Sequence, residues 1–241
     1  MGPLVVLRSG DVPPPIAARR GEYLGWFRGH VGDAWPGADA WVEHDVRVDA
    51  PLPDPRAVAG FVLTGSSHSV TERAPWMLRY EAYLRECVAA DAPVLGVCFG
   101  HQILAQALGG HVTQNPRGRE MGTRVARRLG DDPLFAGLGA AFSVNTTHVD
   151  TVARLPRGAR ILATTALEPH AAFALAEHPR VRAVQFHPEI DGDAMRQWVT
   201  LRRPLLEAEG LDADAILSEA TDTPAGVSVL RNFVTELVAR P

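Results

Sequence analysis

A chain of 241 residues with 46% hydrophobic content is long enough to bury one large core, and no Gly/Ser linker, low-complexity tract or repeat divides it. The formal net charge is −4 and the basic residues, all 24 of them arginine, are scattered, which excludes the concentrated positive surface that a nucleic-acid partner needs. No apolar run reaches membrane-spanning length, and the start of the chain has neither a basic segment followed by a hydrophobic one nor a serine or threonine at its sixth position, so no membrane partner, export signal or myristoyl anchor is expected.

In chain order, residues 4–7 read as a first strand, edged by Arg8-Ser9-Gly10. Prolines 13–15 make a stiff loop, and a helix carrying Tyr23, Leu24, Trp26 and Phe27 is expected up to about Arg28. Residues 40–48 form a second strand and residues 60–63 a third. The third opens into Thr64-Gly65-Ser66-Ser67-His68-Ser69, a small-residue loop at a strand's carboxyl end, where open α/β sheets bind ligands. Trp76, Tyr80, Tyr83, Leu84, Cys87 and Val88 fall at helical spacing on one face, which makes Cys87 a small core hydrophobe. Residues 94–97, bounded by Pro93, are a fully buried strand, followed by a helix through Ile103, Leu104, Ala107 and Leu108 that stops at Gly109-Gly110. Residues 111–129 are strand-like with a break at 115–118, and residues 142–175 are β-rich. Residues 181–186 alternate and end at His187-Pro188-Glu189. Helices are expected over 194–207, 211–221 and 227–238, packed on the sheet or forming a partner surface. The fold class is one α/β domain across 1–241: a largely parallel central sheet flanked by helices, with an antiparallel extension between about 111 and 186.

The residues that carry chemistry centre on Gly96-Val97-Cys98-Phe99-Gly100, a G-x-C-x-G pattern between a strand and a helix. That is the context of a nucleophile elbow. Cys98 would occupy the exposed tip of the turn, at a helix N-terminus whose partial positive charge favours a thiolate. A cysteine nucleophile needs a base and the base an orienting group. His187, at the end of an apolar strand, is placed to be the base, and Glu189 to hold its second ring nitrogen. An oxyanion hole would take one N–H from Phe99 and another from Gly65 or Ser66. Other histidines have plainer readings: His101 is structural, His178 sits in a surface turn, and His148 with Asp150 either lines the pocket or fixes a loop. Arg117, Arg119, Arg124, Arg127 and Arg128 read as a solvated basic face. Two cysteines and no export signal point to a reducing, cytoplasmic compartment.

Gly-Val-Cys-Phe-Gly-His-Gln (96–102) and Gln-Phe-His-Pro-Glu (185–189) resemble the two signature motifs of class I, triad-type glutamine amidotransferases. Thr64-Gly65-Ser66 resembles the family's oxyanion loop, residues 115–122 a stretch that follows its nucleophile helix, and Thr147-His148-Val149-Asp150-Thr151-Val152 its S-H-x-D-x-V segment. The likeness is strongest to stand-alone relatives of the glutaminase domain of GMP synthase, and implies the flavodoxin-like fold of that family. It implies that Cys98 attacks the γ-carboxamide of glutamine, that a glutamyl thioester forms as His187 protonates the departing ammonia, and that water then releases glutamate. It implies Gln102 and His148 as substrate-binding residues, and neither metal nor organic cofactor. Gln102 lies four residues beyond Cys98 on the helix, about one turn away, and can face the same pocket. The chain runs only about fifty residues past Glu189, with no G-x-x-x-x-G-K-[ST] pattern and no lysine, so a synthetase that receives the ammonia is expected as a separate subunit. Two further readings stand beside this glutaminase: a free-standing hydrolase of γ-glutamyl peptides, and a non-catalytic binding or regulatory module of the same fold. A pocket roomy near Ser67, His68 and the loop around Asn115 would favour the hydrolase.

Overall fold

Four short runs rich in Val and Leu without alternation (LVVLR, GFVL, VLGV and VRAV), each buried along its whole length or nearly so, set the architecture, because strands covered on both faces are predominantly apolar. The computed structural model describes residues 2–37 and 39–239; Met1, Ala38, Arg240 and Pro241, the remainder of the expected 1–241 domain, lie outside the described residues. The elements are β1 (Leu4–Arg8), α1 (Pro14–Arg20), α2 (Tyr23–Val31), β2 (Trp41–Asp45), β3 (Gly60–Leu63), α3 (Pro75–Ala89), β4 (Val94–Val97), α4 (Phe99–Ala107), β5 (His111–Gln114), β6 (Glu120–Arg128), β7 (Ala141–His148), β8 (Asp150–Arg154), β9 (Ala159–Thr164), β10 (Ala172–Leu175), β11 (Val181–Val184), α5 (Gly192–Ala208), α6 (Ala213–Glu219) and α7 (Pro224–Asn232). A π-helical turn, Phe233–Val238, continues α7.

Nine strands form one sheet in the order β2-β1-β3-β4-β11-β10-β9-β6-β7. β2, β1, β3, β4 and β11 run parallel to one another; from β11 onward the pairings are antiparallel, the extension expected from the 111–186 region. β5 and β8 leave that extension and pair as a separate two-stranded sheet. Successive residues of β1 feed opposite cores: Leu4 and Val6 pack with Phe27, Trp198 and Phe233, whereas Val5 and Leu7 pack with Phe61, Tyr80 and Leu104. Each such aliphatic side chain contributes about 1.5–3 kcal/mol on full burial. The two cores are the α1–α2–α5–α7 face and the α3–α4 face of the sheet. The final helices therefore pack on the sheet, with Val229, Leu230, Phe233 and Leu237 buried.

Two local expectations are corrected. The proline run is not wholly a loop, because α1 begins at Pro14, where a missing N–H costs nothing in the first helical turn. The helix expected to reach Arg28 is two helices, broken at Gly21 with φ 79°. Among the described residues no helix is long and apolar enough to cross a membrane.

Candidate functional site

β4 and β11 are parallel neighbours with Val97 opposite Val184, so both chains leave the sheet at the same edge. From β4 the backbone must reverse into α4 within one residue. Cys98 makes that reversal with φ 52° and ψ −104°, a conformation that costs a non-glycine residue about 1–3 kcal/mol. A Cβ on Gly96 would stand 2.7 Å from the carbonyl oxygen of Gly100, and one on Gly100 would stand 2.6 Å from Leu63 Cβ. Only glycine permits that approach of helix and strands. The turn is held by Cys98 N–H donating to Val184 O at 2.9 Å and Gly100 N–H to Thr64 O at 3.1 Å.

Cys98 is not the exposed tip that its sequence context suggests; it is only 5% exposed. The loop after β3 and the segment after β11 close over it. A Cβ on Gly65 would lie 2.8 Å from His187 Cε1 and 3.7 Å from Cys98 Cβ, which places Gly65 directly against the pair. The chain from β11 turns at Gln185, and His187 N–H donates to Asn145 O at 2.8 Å. The Asn145 side-chain amide also donates to Ile190 O at 2.8 Å, so one buried residue, through its backbone carbonyl and its side chain, holds both ends of the His187–Ile190 segment. His187 Nδ1 lies 2.7 Å from Glu189 Oε1, and the His187 ring is close enough to the Cys98 thiol for each to shift the other's pKa. His30 of α2 holds the Glu189 carbonyl at 3.0 Å.

The electrostatics follow from that line of groups. Burial pushes the Cys98 thiol up, but the charge and hydrogen bond of His187, with the charge of His148, hold it below the usual thiol value. Burial pushes His187 down, but Glu189 and the Cys98 thiolate outweigh it and its pKa is pushed up to about 10. The two shifts run in the sense of a thiolate–imidazolium pair, the thiol more acidic and the ring more basic than either group is alone.

His148 reaches the same pocket, though neither ring nitrogen is free. Nδ1 donates to Asp150 O at 2.9 Å, and Nε2 faces Glu120 Oε2 at 3.2 Å. Two acceptors require two donors, so the ring is held as imidazolium; its pKa is raised because the Glu120 hydrogen bond and the Cys98 charge outweigh burial. Gln102 is also in the pocket, where its amide NH₂ donates to Asp150 O at 3.1 Å and to Gln185 Oε1 at 3.0 Å. His101 instead packs away on Phe173, with Nε2 2.9 Å from His170 O, and burial pushes it down to about 3.

The pocket beside Cys98 has a volume of about 90 Å³, and a smaller one of about 30 Å³ adjoins His187 and shares Ser66, Ser67, Thr147 and Arg202 with it. Asn115 does not line either space; it is buried and donates to Leu167 O at 2.9 Å. A larger groove of about 590 Å³, bordered by Asp49, Arg56, Arg79 and Tyr83, shares no lining residue with this pocket and contains neither cysteine nor histidine.

The family model for class-I glutamine amidotransferases matches residues 43–200, a span that contains the elbow, the β3 loop and the His187–Glu189 segment. This chain belongs to that family. Among its curated relatives, a GMP synthase (glutamine-hydrolysing) of Thermomicrobium roseum is 40% identical over 131 residues, covering 54% of this chain and 23% of the relative. The GMP synthase of Brucella melitensis is 37% identical over 186 residues, covering 74% of this chain and 29% of the relative. The chain thus spans about a quarter of the length of these relatives. Among solved structures, a glutamine amidotransferase of Thermotoga maritima superposes with a TM-score of 0.77 at 21% identity, covering 100% of both chains. One from Methylobacillus flagellatus gives 0.74 at 23% identity, covering 99% of this chain and 93% of the other. These structural likenesses establish the amidotransferase fold.

Two arginines of this pocket do not read from the sequence as pocket residues: Arg119 is assigned there to a solvated face, and Arg202 is not singled out. The basic cluster expected on β6 is dispersed: Arg124 pairs with Glu219, Arg128 with Asp131, and Arg117 donates to backbone carbonyls, whereas Arg119 turns to the pocket and pairs with Glu209. Arg202 arrives from α5, its Nη1 donating to Thr147 Oγ1 at 2.6 Å. The signal for it was present: Met195, Trp198, Val199 and Leu206 are the buried stripe of α5, and Arg202, four residues after Trp198, falls in that stripe.

Proposed function

We propose that this chain hydrolyses the γ-carboxamide of glutamine through a Cys98 thioester, releasing ammonia and glutamate. The observation that carries the reading is the Cys98–His187–Glu189 line, with Cys98 and His187 both packed against Gly65, each shifting the other's pKa, and His187 Nδ1 2.7 Å from Glu189. In the proposed mechanism, Cys98 Sγ attacks the carboxamide carbon and the C=O π pair moves onto oxygen. The N–H of Phe99 and that of Gly65 or Ser66 receive the oxyanion. Gly65 lies directly against Cys98 and His187, and Ser66 lines both pockets beside them, so the loop after β3 is in place to supply the second donor. As the tetrahedral intermediate collapses, the C–N bond breaks and the His187 imidazolium gives its proton to the departing nitrogen. Neutral His187 next takes a proton from water, which attacks the thioester and frees glutamate. Glu189 holds the ring tautomer and stabilises the imidazolium.

Glutamine, the smaller substrate, is favoured over γ-glutamyl peptides by the volume of about 90 Å³ beside Cys98. The ammonia acceptor is proposed to be a synthetase subunit, by analogy with GMP synthase relatives of which this chain matches about a quarter. Two free cysteines, one of them with an acidified thiol, suit a reducing cytoplasmic setting. The test is glutamate release by purified protein from glutamine and from γ-glutamyl dipeptides, with Cys98→Ala as the blank. Release from glutamine at the higher kcat/KM supports the reading. Release from dipeptides alone makes the protein a γ-glutamyl hydrolase, and silence in both assays, with and without cell extract, makes it a binding module.

A further inference from the structure

We propose that Arg202 is the carboxylate anchor of this site and takes the α-carboxylate of the γ-glutamyl substrate. The inference rests on the glutamine-hydrolysing reading and deepens it by assigning the far end of the substrate.

Arg202 lies on the apolar face of α5, between Trp198 and Leu206, and lines both the pocket that contains Cys98 and Gln102 and the adjoining one that contains His187. Its guanidinium carries five N–H donors in a fixed fork, and among the described residues the one acceptor they meet is Thr147 Oγ1. It forms no ion pair with any carboxylate among the described residues. Its neighbour in the pocket differs. Arg119 is held by both oxygens of Glu209, at 2.7 and 2.9 Å, so its fork is already filled. Asp150, the acid beside them, accepts from Ser69 and lies on the opposite wall with Gln102.

The chemistry of the pocket therefore includes one guanidinium with unused donors, largely removed from water. Burial and the nearby charge of Arg119 press its pKa down and outweigh the charges of Cys98 and Glu209, neither of which forms an ion pair with it. Arginine stays protonated even so. A planar carboxylate supplies what is missing, because two parallel N–H···O bonds match the fork and neutralise the charge. A glutamyl group attached at Cys98 presents one carboxylate, on its α-carbon. The leaving side of glutamine is ammonia and presents none. Thr147, which accepts from Arg202, directly precedes His148, so the anchor is braced by the same strand that brings the second imidazolium to Cys98.

The experiment compares wild type, Arg202→Met and Arg202→Lys on four substrates: glutamine, its α-carboxamide, γ-glutamylglycine and γ-glutamylmethylamide. Loss of a charge-assisted bidentate contact lowers kcat/KM on glutamine about 10- to 100-fold in Arg202→Met, mostly through KM, with partial rescue in Arg202→Lys. On the α-carboxamide the three proteins should agree within about threefold, since there the anchored charge is absent in every case. An equal loss on glutamine and its α-carboxamide would make Arg202 a purely structural brace of Thr147. A loss confined to γ-glutamylglycine would assign it to the leaving group, and a larger loss in Arg119→Met that disappears on the α-carboxamide would move the anchor to Arg119. Each of these overturns the proposal. Calorimetric binding of glutamine to Cys98→Ala, with and without Arg202→Met, reads the anchor where no turnover occurs: about 10- to 100-fold weaker binding upholds it, and unchanged or undetectable binding to both proteins rejects it.

Discussion

The two cysteines of this chain are the same group, almost equally removed from water, and chemically opposite. Cys87 of α3 is fully buried and Cys98 of the elbow is 5% exposed. Around Cys87 burial dominates, its polar neighbours being the Tyr83 hydroxyl and Glu86, and its pKa is pushed up to about 12. Around Cys98 the same burial is outweighed by two imidazolium rings, and the thiol falls below its usual value. Removal from water therefore does not decide whether a thiol is inert or nucleophilic. The sign of the nearest charge does, and it acts more strongly because the site is dry.

The comparison breaks most visibly at the proposed nucleophile. Cys98→Ala should lower glutamate release by about 10⁴-fold or more, while the thermal midpoint stays within a few degrees, because alanine meets the same backbone conformation and loses little volume. A collapse of the folding transition in that variant would show that Cys98 serves the core as Cys87 does. Next comes selectivity towards an alkylating agent. At pH 7 a thiol with a pKa of about 12 is ionised in roughly one molecule in 10⁵, so iodoacetamide should modify Cys98 at least about 10³-fold faster than Cys87, read by peptide mass spectrometry. Equal labelling would contradict the electrostatic account.

Glu189→Gln tests how the imidazolium is maintained. Without the carboxylate, kcat should fall about 10²-fold and the pH at which Cys98 alkylation is half-maximal should rise. For the wild type the sign of the pH dependence is fixed by which charged forms are needed. The acid limb of hydrolysis follows protonation of the Cys98 thiolate and so lies below 9.0, and the alkaline limb follows loss of the His187 proton near 10. A profile whose acid limb sits at or above 9.0 would place the thiol outside the influence of His187. The smallest effect belongs to the core cysteine. Cys87→Ala should cost about 1–2 kcal/mol in denaturant unfolding and leave glutamate release unchanged.

Much of this site is legible in the chain because its chemistry is carried by contiguous residues. The elbow strand, Cys98 and the helix after it lie within Val94–Ala107, and His187 and Glu189 are two residues apart, so their local geometry depends on backbone rules that act over a few positions. Helix α3 shows the same directness, its apolar stripe marking Cys87 as a core residue. Short-range rules were less reliable where one residue has two permitted uses. Pro14 serves a helix start as well as it serves a loop, and only the path taken by the next turns selects between them.

Sequence alone determined the fold class, the family resemblance and the identity of the proposed reacting groups. Tertiary structure decided what surrounds them. The parallel pairing of β4 with β11 brings residues about ninety positions apart to one sheet edge, and the loop after β3 then covers Cys98, turning an expected exposed tip into a buried thiol made more acidic by His187. Arg202 enters from α5, an element with no signature of its own, and the contact of His148 with Glu120, which no motif specifies, comes from the pairing of β6 with β7. The physical reason is range: a motif specifies its own backbone, whereas burial, charge and pocket volume are sums over whatever the rest of the chain places nearby.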